Sequence, residues 1–119
     1  MTWTVQLADE FEPEFDRLPN AVQDELLAQA RVVELFGPAA RRPRVDTLNG
    51  SKHSNMNELR FDASGGVWRV AFAFDPHREA VLLVAGDKSG GSEQRFYRRL
   101  IAIADARYGA HLRRISRPH

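Results

Sequence analysis

Two arginines occupy matching positions in a predicted β-hairpin. Residues 57–61 and 67–74 both alternate with the strand period of two, and the few residues between them have the composition of a turn. A hairpin closed symmetrically about Ser64-Gly65 places Arg60 directly opposite Arg69. Like charges at directly opposed positions repel. The pattern therefore needs an explanation for how the sheet tolerates the pair.

An anion between the two guanidinium groups is the explanation that points to function. Arginine presents planar, forked donors that suit phosphate in particular, so the pattern predicts a phosphate site on the sheet. Two structural explanations stay open beside it. Strand twist could splay the side chains, or the carboxylate of Glu58 or Asp62 could neutralise them.

Other residues that could do chemistry are predicted to converge on the same edge of the sheet. Lys88 leaves the end of an apolar strand, and Tyr97 projects from the first turns of the helix that follows. Lys52 and His53 lie on the loop that enters the hairpin. We expect these two residues, together with Arg95, to contact RNA, and we expect Lys88 and Tyr97 to act with the two arginines in catalysis.

Such a set suits cleavage of RNA by attack of its own 2′-OH on the adjacent phosphate. The reaction needs a base for the hydroxyl proton, cations on the phosphorane oxygens and an acid for the leaving 5′-oxygen, and it needs no metal. A lysine or tyrosine among cations can have its pKa lowered toward use as a base. Bases of single-stranded RNA could stack on Tyr97 or Phe96.

Composition excludes several other kinds of site. The 119 residues contain no cysteine, and the four histidines lack the spacing of a metal motif. We therefore expect no metal and no cofactor. No signal peptide is recognised at the N-terminus, and no apolar run approaches the roughly 20 residues that cross a bilayer. A soluble, cytoplasmic protein with no membrane partner is expected.

Charge is distributed unevenly along the chain. Residues 1–36 carry eight acidic and two basic side chains, whereas residues 37–119 carry fifteen basic and eight acidic ones. The split favours one acidic and one basic face, and a basic face on a small domain suggests nucleic acid or an acidic protein as partner. Solvated helix faces without a partner are the alternative.

The periodicities predict one α+β domain over residues 1–119, with a mainly antiparallel sheet. A strand over 2–7 precedes two helices joined at Pro19, and Ser92 caps a final helix. The predicted order is β-α-α-β-β-β-α. Residues 109–119 are expected to form a flexible basic tail.

This order resembles the RelE/ParE toxin superfamily. Several strings are similar to its HigB-like, phage-related branch: Leu48-Asn49-Gly50, Met56-Asn57-Glu58-Leu59-Arg60-Phe61, Trp68-Arg69-Val70-Ala71-Phe72 and Ala85-Gly86-Asp87-Lys88. The resemblance implies a RelE-like fold and a toxin of a type II toxin–antitoxin pair that cleaves mRNA on the ribosome. It also implies silencing by a small antitoxin, expected to be a helix-turn-helix protein encoded adjacently.

The resemblance also implies site residues. The arginines that the family carries in its LR and WR strings fall on Arg60 and Arg69, its basic residue after the strand falls on Lys88, and its helix tyrosine falls on Tyr97. Catalytic acidic or histidine residues that some relatives carry near the C-terminus have no clear match here. Which residue is the general base and which the acid therefore stays open.

Two other functions remain alternatives to the ribosome-dependent endonuclease. The same fold serves non-enzymatic inhibitors of DNA gyrase of the ParE kind, so fold cannot decide between them. A basic RNA-binding protein without toxicity is the other. The convergent basic residues and tyrosine favour the nuclease, because a pure binder does not need them. We expect an antitoxin to cover the basic side, since complementary charge speeds association.

Overall fold

The computed structural model describes residues 2–117, which form an α+β fold as predicted. The elements in chain order are β1 (Thr4–Leu7), α1 (Glu12–Asp16), α2 (Asn20–Phe36), a 3₁₀ turn (Gly37–Ala39), β2 (Val45–Thr47), β3 (Met56–Ala63), β4 (Gly66–Phe74), β5 (Glu79–Asp87) and α3 (Glu93–Ile115). The sequence analysis missed β2, because a strand of three residues is too short to show an alternation.

The five strands form one mixed sheet in the order β1-β5-β4-β3-β2. Strand β1 runs parallel to β5, and the other neighbouring pairs are antiparallel. The apolar strand β5 lies inside the sheet, between β1 and β4, while β4 occupies the centre. Residues Val70–Ala73 of β4 and Ala80–Val84 of β5 are buried throughout, so these two strands supply the middle of the core.

The hairpin of β3 and β4 has the predicted register, with Arg60 opposite Arg69. Its turn consists of Ser64 and Gly65, whose φ angles are 49° and 76°. Two successive positive φ values are typical of the type I′ turn, which matches the twist of the flanking strands. The turn therefore fixes the register that brings the two arginines together.

Helix α3 extends far beyond the predicted helix. Residues 109–115, expected to be a flexible basic tail, continue α3 to Ile115. This end of the helix is packed against the fold through His111, which is buried and whose Nε2 lies 2.8 Å from the carboxylate of Asp75. Asp75 in turn accepts the backbone N–H groups of His77 and Glu79, so the last turns of α3 are tied to the β4–β5 connection.

The rest of the predicted tail includes residues 118 and 119, which lie outside the described residues. None of the helices within residues 2–117 has the combination of length and apolarity that crossing a bilayer requires.

Candidate functional site

A buried carboxylate lies at the centre of the predicted site. Glu58 precedes Arg60 by two residues on β3, so both side chains lie on the same face of the sheet. It is only 4% exposed. Its Oε2 lies 3.4 Å from Nη1 of Arg60, and its Oε1 lies 3.7 Å from Nε of Arg69. Glu58 therefore neutralises the opposed arginines, which is one of the structural explanations that the sequence left open.

The two arginines differ in how firmly they are held. Arg69 is 6% exposed, and it donates from Nε to the hydroxyl of Tyr97 at 3.2 Å and from Nη1 to the carbonyl of Trp68 at 2.9 Å. The side chain of Arg60 is 22% exposed, and among the described residues its Nε and Nη2 donate to no protein acceptor. Arg60 is the more exposed of the two arginines, so its Nε and Nη2 are the donors more accessible to an outside oxyanion.

Tyr97 joins the cluster from α3. Its hydroxyl donates to Oε1 of Glu58 at 2.8 Å and accepts from Arg69. Burial raises the pKa of Tyr97, the hydrogen bond to Glu58 raises it further, and Arg69 opposes both effects. Arg69 thus lowers this pKa, as expected of a neighbouring cation, but burial and Glu58 outweigh it and the pKa lies above its ordinary value. Tyr97 stays a neutral phenol, able to donate a hydrogen bond and to offer a ring face.

Lys88 lies over that ring face. Its Nζ is 5.9 Å from the centroid of the Tyr97 ring and donates to the carboxylate of Glu93 at 2.6 Å. This hydrogen bond lowers the pKa of Glu93. The loop is held by Asp87, whose carboxylate accepts the backbone N–H groups of Val67 and Ser89. Lys88 therefore belongs to the cluster as a cation at its edge.

The charges of this cluster nearly cancel. Three carboxylates (Glu58, Asp46 and Glu93) lie beside four cations (Arg42, Arg60, Arg69 and Lys88). Asp46 on β2 lies 3.9 Å from Arg60 and also binds Arg42 at 3.2 Å. A substrate phosphate would therefore have to compete with carboxylates that the protein itself supplies.

Lys52 and His53 do not reach this cluster. The backbone N–H of Lys52 donates to the carboxylate of Asp105 at 3.1 Å, and the ring of His53 meets that of Tyr108 edge-on with 4.8 Å between centroids. Asp105 follows Tyr97 by eight residues, which is roughly 12 Å along a helix. Lys52 and His53 therefore lie beside a part of α3 that is nearer its C-terminus than Tyr97, on the side of the helix that carries Tyr97.

Arg95 lies on another side of α3. Two residues of helix turn by roughly 200°, so Arg95 projects away from Tyr97 and lines a groove beside the end of β5. Phe96, a predicted stacking residue, packs over Gly86, where an added Cβ would lie 2.8 Å from its ring. The cluster thus unites Arg60, Arg69, Lys88 and Tyr97, but neither Arg95 nor the loop residues.

Sequence reasoning treated Glu58 only as a neutralising charge and missed Asp105 altogether. Glu58 lies two residues before Arg60 on a predicted strand, and this spacing indicates that the two side chains share a face of the sheet. Nothing in the sequence links Asp105 to a loop more than fifty residues earlier. Over the residues that the structure describes, no group of three or more His, Cys, Asp and Glu side chains could hold a metal ion.

Comparison of the chain with known proteins identifies its family. The family described as Phage derived protein Gp49-like (DUF891) matches residues 13–109. The chain belongs to this family. It is 42% identical over 96 residues to "Putative toxin HigB2" of Mycobacterium tuberculosis, an alignment that covers 80% of this chain and 47% of that protein. It is 47% identical over 76 residues to "Putative toxin HigB3" of the same organism, which covers 64% of each. The chain thus spans about half to two thirds of these relatives.

Solved structures show the fold. A mutant of E. coli toxin RelE in the free state matches with a TM-score of 0.59 and 12% identity, over 86% of this chain and 96% of that one. The archaeal RelE-RelB complex from Pyrococcus horikoshii matches with a TM-score of 0.54 and 19% identity, over 76% of this chain and 100% of that one. The RelE-like fold and the HigB-like relationship predicted from the sequence strings are confirmed.

Proposed function

We propose that this Gp49-like protein is the toxin of a toxin–antitoxin pair and cleaves ribosome-bound mRNA. The observation that carries the proposal is the cluster of Arg60, Arg69, Tyr97 and Glu58. In it, a hairpin register and a helix hold two guanidinium groups, a neutral phenol and a carboxylate in one connected set of hydrogen bonds and ion pairs. The names of the two mycobacterial relatives support the toxin part of the proposal.

The cluster supplies the groups that a metal-independent cleavage needs. The 2′-oxygen of the RNA forms a bond to phosphorus, the bond from phosphorus to the 5′-oxygen breaks, and the products carry a 2′,3′-cyclic phosphate and a 5′-hydroxyl. The free donors of Arg60 would bind the phosphate oxygens and gain strength as negative charge develops on them. Arg69 would position Tyr97 and would add positive charge on the buried side of the site.

The other titratable groups of the cluster would transfer the protons. Glu58 would accept the proton of the 2′-hydroxyl once a bound phosphate takes its place beside Arg60, because it is the carboxylate that lies between the two arginines. Lys88, at the edge of the cluster, can give a proton to the 5′-oxygen, while the ring of Tyr97 can stack on a base. Lys52 and His53 would contact RNA farther along α3, which places them as binding residues without a part in the chemistry.

The near-neutral charge of the cluster supports delivery of the substrate by the ribosome. Proteins that capture free RNA by themselves depend on an excess of positive charge that binds phosphates and releases counterions. Here Glu58, Asp46 and Glu93 offset three of the four cations, so free RNA gains little from binding. An mRNA already held in position does not need that attraction.

Replacement of Arg60 tests the proposal. Arg60→Ala should slow cleavage of ribosome-bound mRNA on the order of a hundredfold, which corresponds to about 3 kcal/mol of lost transition-state stabilisation. Arg98→Ala is the matched control, because Arg98 is an exposed arginine of α3 outside the cluster. Circular dichroism should show both variants folded. Undiminished cleavage by folded Arg60→Ala would contradict the proposed chemistry.

Induction of the protein in cells, followed by mapping of mRNA 5′ ends, distinguishes the nuclease from an inhibitor of DNA gyrase. New mRNA 5′ ends at fixed codon positions after induction support the nuclease. DNA-damage signalling without such ends would support inhibition of gyrase in its place.

A further inference from the structure

Helix α2 presents large apolar side chains to solvent. Among residues 2–117 the exposed large apolar side chains all belong to this helix: Leu27 at 53%, Leu35 at 50% and Phe36 at 60% exposure. The other side of α2 is buried and contributes four residues to the core, Val22, Leu26, Ala30 and Val33. Single exposed apolar residues are ordinary on a protein surface, but several of them close together mark an interaction site. The outward face of α2 is therefore a candidate interface.

The outward face of α2 has a regular composition. Its residues Asp24, Ala28, Arg31 and Leu35 follow one another at spacings of four, three and four, so they share one side of the helix. All four are exposed, and helical geometry places them roughly 180° around the axis from the buried residues. Leu27 lies at the edge of this row, next to Asp24 and Arg31. We call these five residues the α2 stripe.

The charges of the α2 stripe are symmetric about its centre. The midpoint between Asp24 and Arg31 falls between Leu27 and Ala28. A second copy of α2 that lies antiparallel about this midpoint places Asp24 of each copy against Arg31 of the other. One helix therefore supplies both members of two intermolecular ion pairs, which is the self-complementarity that a twofold contact between identical chains requires.

The same antiparallel arrangement also covers the exposed apolar side chains. Leu27 lies next to the midpoint and would meet Leu27 of the second copy, while the small side chain of Ala28 lets the two helices approach closely. Leu35 and Phe36 lie at the C-terminal end of α2 and would pack on the first turn of the other helix, where Ala21 is exposed. The ion pairs and the apolar contacts therefore require one and the same register.

Both charged residues of the α2 stripe are available for an intermolecular pair. Asp24 is exposed, and no ion pair of it is found over residues 2–117. Arg31 donates to Glu34 at 2.8 Å, but the two side chains are 70% and 36% exposed. An exposed pair of this kind contributes little to stability. Arg31 can therefore exchange Glu34 for Asp24 of a second copy at little cost.

We propose that two copies of this chain form a dimer through the α2 stripe, with the two α2 helices antiparallel about a twofold axis. Each Asp24 would pair with Arg31 of the other copy, and the two Leu27 side chains would meet near the axis. The helix has 17 residues and is roughly 25 Å long. A contact of this length would bury less than the about 800 Å² per partner of a standard interface. The dimer is therefore expected to be weak, with a Kd in the micromolar range or above.

The composition of the α2 stripe favours a second copy over other occupants. Binding of RNA needs an excess of positive charge, whereas the stripe carries one acid and one base and is flanked by Glu25 and Glu34. A different protein would bring complementary charges of its own and would not require the symmetric placement of Asp24 and Arg31. The proposal is independent of the proposed nuclease function, because α2 contributes no residue to the cluster around Glu58.

Sedimentation velocity of the full chain tests the proposal. The sedimentation coefficient should rise over a concentration range of roughly 5–500 µM, which brackets a micromolar Kd. Asp24→Arg and Arg31→Asp each place like charges in both intermolecular pairs, so each should weaken association at least about tenfold. Arg98→Asp is the control, because it makes the same charge change as Arg31→Asp at an exposed position of α3. It should change association less than about twofold.

A mixture of the two variants gives the most specific test. The Asp24→Arg chain carries two arginines at positions 24 and 31, and the Arg31→Asp chain carries two aspartates there. An equimolar mixture should therefore associate as the unaltered chain does, although each variant alone does not. Neither a folding defect nor an unrelated contact predicts such a recovery, and circular dichroism should show each variant folded.

Several outcomes would overturn the proposal. They are a single monomeric species at all concentrations, equal association of the Arg31→Asp and Arg98→Asp variants, and a mixture of the two α2 variants that stays monomeric. A monomeric chain whose Arg31→Asp variant loses affinity for the protein of the neighbouring reading frame would overturn it in favour of that protein. A chain that forms the dimer but cleaves no mRNA would refute only the nuclease.

Discussion

Replacing Glu58 by glutamine should leave Arg60 and Arg69 without their neutralising carboxylate and so create a site that can bind an anion. The glutamine keeps the size of the side chain and an oxygen that can accept from Tyr97, but it removes the charge that separates Arg60 from Arg69. The side chain of Arg69 is buried and has no other carboxylate within 4.0 Å among the described residues. Glu58→Gln should therefore fold, but with two like charges directly opposed across the hairpin.

The expected loss of stability can be worked from the distances. A carboxylate 3.7 Å from Arg69 gains about 4–5 kcal/mol of Coulomb energy at an effective dielectric constant of about 20. Desolvation offsets much of this, and breaking a buried pair costs about 3–5 kcal/mol in practice. Arg60 is partly exposed and can still approach Asp46, so we expect a net loss of about 2–3 kcal/mol. For a domain of this size that lowers Tm by roughly 10 °C.

Inorganic phosphate should reverse part of this loss. If the two arginines bind the added anion in the folded state only, phosphate at ten times its Kd restores about 1.4 kcal/mol. Urea denaturation with and without phosphate measures both effects. Asp62→Asn is the control, because Asp62 is an exposed carboxylate on the same face of β3 and should change stability by less than about 0.5 kcal/mol. A Glu58→Gln variant as stable as this control and indifferent to phosphate would refute the reasoning.

Two further predictions concern contacts of α3 with the rest of the fold. Asp105→Ala removes the acceptor for the Ser51 hydroxyl and the Lys52 N–H, so it should cost about 1–3 kcal/mol and speed amide exchange in the loop over 50–55; unchanged exchange there would contradict the assigned anchoring role. Glu14→Gln tests acid stability. The hydrogen bonds from Arg107 lower the pKa of Glu14 below its ordinary value of 4.5, so its contribution is present above that pH and is lost as the pH falls through the folded pKa. The wild type should be more stable than Glu14→Gln by up to about 1 kcal/mol at neutral pH, after allowance for solvent screening, and the two should converge as the pH falls through the lowered pKa of Glu14; a difference that persists in acid would contradict the assignment.

Local patterns determined what could be predicted of the fold. The alternation of β3 and β4, with Ser64-Gly65 between them, contains the register of the hairpin, and so the opposition of Arg60 and Arg69 followed from residues close in sequence. The cap at Ser92 is equally local, since its side chain accepts the N–H of Arg95.

What failed depends on contacts between distant segments. The length of α3 rests on the pair of His111 with Asp75, which are 36 residues apart. The direction of the Tyr97 pKa shift rests on burial and on Glu58, which is 39 residues away. Periodicity indicates which residues share a face of one element, but it does not show which face of another element they meet.

The attachment of the loop over 50–55 to α3 has a consequence for how RNA would lie on the protein. Tyr97 and Asp105 belong to one continuous helix, and Asp105 holds the backbone of Lys52. The interval between the proposed cleavage site and the backbone of Lys52 is therefore set by helix rise and does not depend on the length of the loop. Loops of other lengths in related chains could bulge into solvent while the interval stayed constant, so the length of RNA spanned between the two contacts would be a property of α3 alone.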